Sequence, residues 1–243
     1  MGNVTIGRAW PARRPLHAVF IGLWVLAGGL AVGLVAGSAT CAQVLERADF
    51  GAQSASSEAR SFADWVMASG DNHRLPFIVV DKVQARLFVF APNGHLRGAS
   101  AALLGLARGD DSVPGVGDRP LSNIAPEERT TPAGRFVAAL GADLGDKDVL
   151  WVDYANAISL HRVITTRPKE HRLRRLATPT PADNRISYGC INVPAKFYDD
   201  VVQPAFSGTD GIVYILPEVR TLGSVFLAYR STPAAALPRP AAR

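Results

Sequence analysis

Cys190 lies in the stretch Arg185-Ile-Ser-Tyr-Gly-Cys-Ile-Asn-Val-Pro194, and the chain's other cysteine is Cys41, far upstream. A thiol is a nucleophile when its pKa is lowered and it is reachable; in apolar surroundings it is inert. The residues alone leave both readings open, but the neighbours favour use. Gly189 permits close backbone approach, and Ser187 and Asn192 offer hydrogen bonds. A helix expected to start near Pro194 would turn its N-terminal amides toward the sulfur and favour thiolate. Such a thiol needs a base. Of the five histidines, His17 falls in the leader, His73 and His95 at turns, and His171 in a basic segment. His161 ends the apolar run Ile158-Ser159-Leu160, where a strand end can present a side chain into a cleft. Spacing alone does not choose among them.

The elements that must position these groups follow from local pattern. Phe62, Trp65 and Val66 recur at helical spacing within Ser54 to Gly70, and Gly70 is a natural stop. Leu75 to Asp81 and Gln84 to Ala91 are rich in strand-forming residues, and Pro92-Asn93-Gly94 turns the second into His95 to Ala99. Arg135 to Leu140, Val149 to Asp153, Ala157 to Ile164 and Gly211 to Leu216 read as further strands. Lys169 to Leu176 and Lys196 to Val202 read as short helices. Gly105 to Pro126 is a long loop rich in Gly, Asp and Pro, of a length usually kept for function. The fold class expected is mostly β with a few helices (α+β).

The chain has 243 residues, 48% of them hydrophobic and 19% charged, which excludes a disordered chain. Two cysteines exclude a disulfide scaffold. Mean hydropathy is +0.10, and much of the apolar excess sits in the uncharged residues 18–37, behind Arg8, Arg13 and Arg14. That layout is a secretion signal, with a run just long enough to span a bilayer. Residues 1–42 are therefore expected to be a signal peptide or membrane anchor. Export to the periplasm or cell envelope follows, with residues 18–37 as the tether to the inner membrane if retained. Loss or lipidation of Cys41 would then leave Cys190 as an unpaired thiol in an oxidising compartment. Residues 43–74 form a helical lead-in and residues 218–243 an extension with a Pro/Ala-rich tail. The net charge of +5 is concentrated between Arg162 and Arg175. No aromatic residue is interleaved there, so a nucleic-acid partner is not expected. A solvated loop or a patch for anionic polymer or substrate carboxylates fits better.

Three motifs occur in one order. Thr131-Pro132-Ala133-Gly134-Arg135-Phe136 resembles the TPxGxF signature of L,D-transpeptidase catalytic domains, the YkuD-type fold. Ile158-Ser159-Leu160-His161 resembles the strand carrying that family's histidine, and Ser187-Tyr188-Gly189-Cys190-Ile191-Asn192 its cysteine motif. Residues 75–217 are covered. The resemblance implies a β-sandwich-like catalytic domain acting on peptidoglycan peptide stems. Cys190 would attack the diamino acid–D-alanine bond with His161 as base, backbone amides around Tyr188, Gly189 and Cys190 would hold the oxyanion, and Ser187 and Asn192 would pin the loop. Thr131, Pro132, Gly134 and Phe136 carry the signature, and Arg162 and Arg185 are expected substrate contacts. Transfer to an amine is the expected reaction; hydrolysis, or an inactive wall-binding domain, are the alternatives. No cofactor is expected, and Cys190 with His161 is too small a set for zinc.

Two departures stand out. Residues 162–186, 25 in all, separate His161 from Ser187, more than the family usually has. His171, with 15 intervening residues, fits the interval better but lacks the preceding apolar strand, so His161 is preferred. Tyr188 replaces the histidine common before the Gly-Cys pair.

Overall fold

The computed structural model describes residues 47–143 and 147–230. The leader 1–42, its apolar run 18–37, Cys41 and the tail 231–243 lie outside the described residues. Among the described residues, no helix is long and apolar enough to cross a membrane.

Ten strands dominate: β1 (Phe77–Asp81), β2 (Arg86–Phe90), β3 (Leu96–Ala101), β4 (Leu104–Gly105), β5 (Gly134–Ala142), β6 (Asp148–Asp153), β7 (Ile158–Arg162), β8 (Arg185–Ser187), β9 (Ile191–Val193) and β10 (Gly211–Ile215). Eight form one sheet in the order β3-β2-β1-β10-β5-β6-β7-β9, and β4 pairs with β8. The sheet nearly closes on itself. Beyond β3, Leu103 exchanges two backbone hydrogen bonds with Asn192 of β9, of 2.8 and 2.9 Å. One core cluster joins Ile78, Leu87 and Val213 to Leu150, Leu160 and Ile191, residues from both halves of this curled sheet. The core of this cluster thus lies inside a single curled sheet. The architecture is mostly β with some helices, as the pattern implied.

Helix α1 (Ser57–Ser69) covers the opposite face over β1, β2 and β10. Ser56 caps it by accepting from the Ala59 amide, and Gly70 ends it at φ 68°. Phe62 and Trp65 meet Phe226 and Tyr229 of the C-terminal segment, which therefore belongs to the core. Burial of both faces explains why β1 and β10 read as unbroken apolar runs rather than alternating ones.

Several elements depart from the pattern. The expected helix Lys169 to Leu176 is split: His171, at φ 49°, separates a 3-10 turn (Pro168–Glu170) from helix α2 (Arg172–Ala177). The expected helix at 196–202 runs longer, as α3 (Ala195–Phe197), a π turn (Tyr198–Val202) and α4 (Gln203–Phe206). Pro204 has no N–H for the i−4 carbonyl, and the wider turn gives its ring room. Strands β4, β8 and β9 were too short to leave a periodic signal.

A buried ionic knot ties the long loop to the rest. Lys82 is fully buried and donates to the Asp110 carboxylate (2.8 Å) and to the carbonyls of Gly109 and Thr131. Asp110 also accepts from the amides of Glu218, Val219 and Arg220. Burial would raise the Asp110 pKa, but Lys82 and these amides outweigh it and hold it down at about 2. A carboxylate depressed from an unfolded value near 4 stabilises the fold above that pH, and the contribution is lost as pH falls toward 2. We expect on the order of 2 kcal/mol from this residue. Urea unfolding between pH 5 and pH 2 checks it: Asp110→Asn should be less stable at pH 5 and should lose less on acidification than the parent chain.

Candidate active site

Cross-strand register places the site residues on one face. Trp151 pairs with Ser159 and His161 with Asn192, and paired residues share a face. This is the face that α1 covers at the other half of the sheet. Ser159, His161 and Asn192 therefore lie beyond α1, where Arg172 of α2 packs on Asn192 and both Ser159 and Asn192 are buried. Cys190, half-buried, stands at the end of the turn before β9, with Ser159 Oγ 3.7 Å from its sulfur.

The turn is held rigidly. Ser187 Oγ donates to the Cys190 carbonyl (2.6 Å) and accepts from the Gly189 amide (3.1 Å). Thr131 Oγ1 donates to the Gly189 carbonyl and accepts from the Gly105 amide, both at 2.8 Å. Gly189 has φ 134°, and a Cβ there would lie 2.7 Å from Ile158 Cδ1 and 2.8 Å from the Thr130 carbonyl oxygen. Only glycine fits. Thr131 of the signature thus reaches the turn directly. Pro132 is buried beside it, Gly134 opens β5, and Phe136 packs on the first core cluster.

His161 Nδ1 faces the Arg162 carbonyl oxygen at 2.7 Å. A carbonyl only accepts, so Nδ1 carries the proton and the ring's orientation is fixed. Nε2 faces the Asn192 side-chain amide, whose Nδ2 is 3.2 Å away, and the Cys190 thiol donates to the Ala157 carbonyl at 3.5 Å. Burial pushes the Cys190 thiol pKa up, but the hydrogen bond and charge of His161, with Ser159 helping, outweigh it and bring it below its ordinary value. Burial pushes His161 down, and Cys190, the Arg162 carbonyl and Asp143 outweigh that to raise it. The cause differs from the one expected. β9 stands between the thiol and the helix after Pro194, and the thiol is acidified by His161 and Ser159.

A cavity of about 220 Å³ opens over Cys190. His161, Ser187 and Asn192 line it, together with Tyr188, Arg167 and Arg172. The Arg129 guanidinium lies over the Tyr188 ring, 4.0 Å from its centre. Arg167 is also drawn to Tyr188, and Glu170 on the same wall pairs with both Arg167 and Arg172. Leu121 of the long loop reaches the cavity as well.

Several expectations need correction. Arg185 does not face substrate: its guanidinium is spent on Glu218 and the Lys82 carbonyl, with 9% of the side chain exposed. Arg162 is likewise committed, to Asp148 and Asp199, over the Tyr198 ring. The Gly189 amide is not an oxyanion donor, since Ser187 Oγ holds it. His171 is exposed and does not line the cavity. Sequence reasoning passed over Ser159, although it stands two residues from His161 and so shares its face. Arg167 and Arg172 belong to the basic stretch expected to be a solvated loop or a patch for carboxylates, and both line the cavity.

Since His161 acidifies the thiol, His161→Ala leaves burial opposed by Ser159 alone. The Cys190 pKa should rise, and iodoacetamide alkylation at pH 7 should slow by about tenfold or more. His171→Ala should leave the alkylation profile unchanged.

Compared by sequence, the chain matches no family model and no curated protein. Compared by fold, it is similar to the crystal structure of the helical cell shape determining protein Pgp2 from Campylobacter jejuni, at 14% identity and TM-score 0.41, over 60% of this chain and 49% of that one. The K307A mutant of Pgp2 gives 14% identity and TM-score 0.42 over 65% and 55%. The structure of LD transpeptidase LdtMt1 in complex with imipenem gives 13% identity and TM-score 0.33, over 58% of each chain. The chain spans about half the length of these structures.

Proposed function

We propose that the chain is a peptidoglycan L,D-transpeptidase with Cys190 as nucleophile and a YkuD-type catalytic domain. One observation carries the reading: one cavity is lined by the thiol of the Ser187-to-Asn192 motif and by His161, whose Nδ1 is held by the Arg162 carbonyl, so that Nε2 is its basic nitrogen. That nitrogen can take the thiol proton as Cys190 attacks the carbonyl between the diamino acid and the terminal D-alanine of a stem. The same nitrogen then delivers the proton to the leaving D-alanine amine, and a thioester remains. With Gly189 committed, the amides of Tyr188 and Cys190 serve as oxyanion donors. An amine from a second stem resolves the thioester to a crosslink, and a free D-amino acid gives exchange. The exposed Arg167 guanidinium on the cavity wall, beside Glu170, suits a substrate bearing carboxylates. Export behind residues 1–42, as signal peptide or as inner-membrane anchor, would bring the site to this substrate.

Incubating the full chain with purified tetrapeptide muropeptides, and reading product masses, tests the proposal. Loss of D-alanine with formation of crosslinked dimers is expected, and Cys190→Ala should abolish both. A tripeptide product without dimers or exchange would mean that water is the acceptor. D-alanine release by Cys190→Ala would sink the reading.

A further inference from the structure

Residues 163–184, between β7 and β8, send one side chain back into the site. Arg172 is 10% exposed and donates through Nη1 to Asn192 Oδ1 at 2.7 Å. Its Nε donates to Glu170 Oε2 at 2.5 Å, which fixes the guanidinium. A guanidinium only donates, so the Asn192 atom facing it is the oxygen. The amide is thereby oriented, and its NH₂ group faces His161 Nε2 at 3.2 Å and the Cys190 carbonyl at 3.4 Å. The Asn192 backbone is pinned too, by both of its hydrogen bonds to Leu103.

We infer that Arg172 is a positioning residue for the base: by locking the Asn192 amide with its NH₂ toward His161, it keeps Nε2 unprotonated at rest. This rests on the reading of Cys190 and His161 as nucleophile and base. An imidazolium would place its Nε2–H against the NH₂ of Asn192, two donors facing each other. The lock therefore opposes the thiolate–imidazolium pair that Cys190 and His161 otherwise favour. Transfer of the thiol proton to Nε2 requires the amide to turn away. Without Arg172 only the long contact to the Cys190 carbonyl, at 3.4 Å, still holds the NH₂, and the amide can rotate by half a turn at the cost of that contact. Its oxygen then accepts from the Nε2–H of an imidazolium, and the ion pair is stabilised. The other charged groups near His161 are Cys190 from the turn, Asp143 after β5 and Glu170 from the crossover segment.

The prediction has a sign that simple charge loss cannot mimic. Removing a nearby cation raises a thiol pKa, whereas releasing the amide lowers it. In the full chain, the pH profile of Cys190 alkylation by iodoacetamide should move down by about one pH unit in Arg172→Met. The rate on the acidic limb should rise about threefold to tenfold, allowing for the weaker nucleophilicity of a more acidic thiol. Arg172→Lys, which can still donate to Oδ1, should restore the parent midpoint. An unchanged or higher midpoint in Arg172→Met overturns the inference. Nitrogen-15 NMR of the unaltered chain decides independently of whether the variant folds. At pH 7 His161 should be neutral, protonated at Nδ1 and bare at Nε2; an imidazolium there overturns the lock. Failure of the transpeptidase reading would look different: Cys190→Ala would keep its activity on muropeptides while the His161 tautomer stayed as described.

Discussion

The site depends on the parallel pairing of β7 with β9. That ladder sets Leu160 beside Ile191 and His161 beside Asn192, and so puts the residue just before β9, Cys190, next to Ser159. Parallel neighbours cannot be joined by a tight turn and need a crossover. Residues 163–190 are that crossover. Its ends are fixed by backbone hydrogen bonds, so its length can change at little entropic cost. The long interval between His161 and Ser187, which made the choice of histidine uncertain in the sequence, is in structural terms a large loop on a fixed ladder. The extra length also holds the Arg172 contact to Asn192 and the Arg167 side of the cavity.

A second constraint fixes the cysteine turn from below. The Thr131 hydroxyl bridges Gly105 and Gly189, and the Thr131 carbonyl accepts from Lys82. Lys82 in turn is paired with Asp110 and lies near Glu218, which holds Arg185 just ahead of Ser187. Removing one member of such a buried set leaves an uncompensated charge. That penalty makes the arrangement specific even where its net contribution to stability is modest. It ties together the start of β5, the long loop, the C-terminal segment and the cysteine motif, four stretches far apart in sequence.

How much of this was legible follows from periodicity. The strands at 77–81, 86–90 and 211–215, and the helix at 57–69, announce themselves by residue type and by their turns. The three-residue strands on either side of Cys190 are too short for any period, and are made strands by long-range partners such as Leu103. Candidate site residues could be read where a motif marked them. What each one touches could not. Arg162 and Arg185 looked available because a sequence does not show that Asp148, Asp199 and Glu218 come to meet them. The Gly189 amide looked free for the same reason.

The position of the cleft follows from the shape of the cover rather than from the motifs. One face of a single curled sheet is buried by α1 and the C-terminal helices over β1, β2 and β10, and left for side-chain chemistry over β7 and β9. At that margin a thiol meets two opposed effects. Enough apolar surface surrounds Cys190 for burial to raise its pKa, and enough polar contact remains for His161 and Ser159 to reverse the shift. Deeper in the sheet, among residues such as Leu160 and Ile191, the same thiol would have no polar partner and would stay protonated. Farther out, water would screen the imidazole. The reactive position is therefore narrow, and it is set where the helical cover ends.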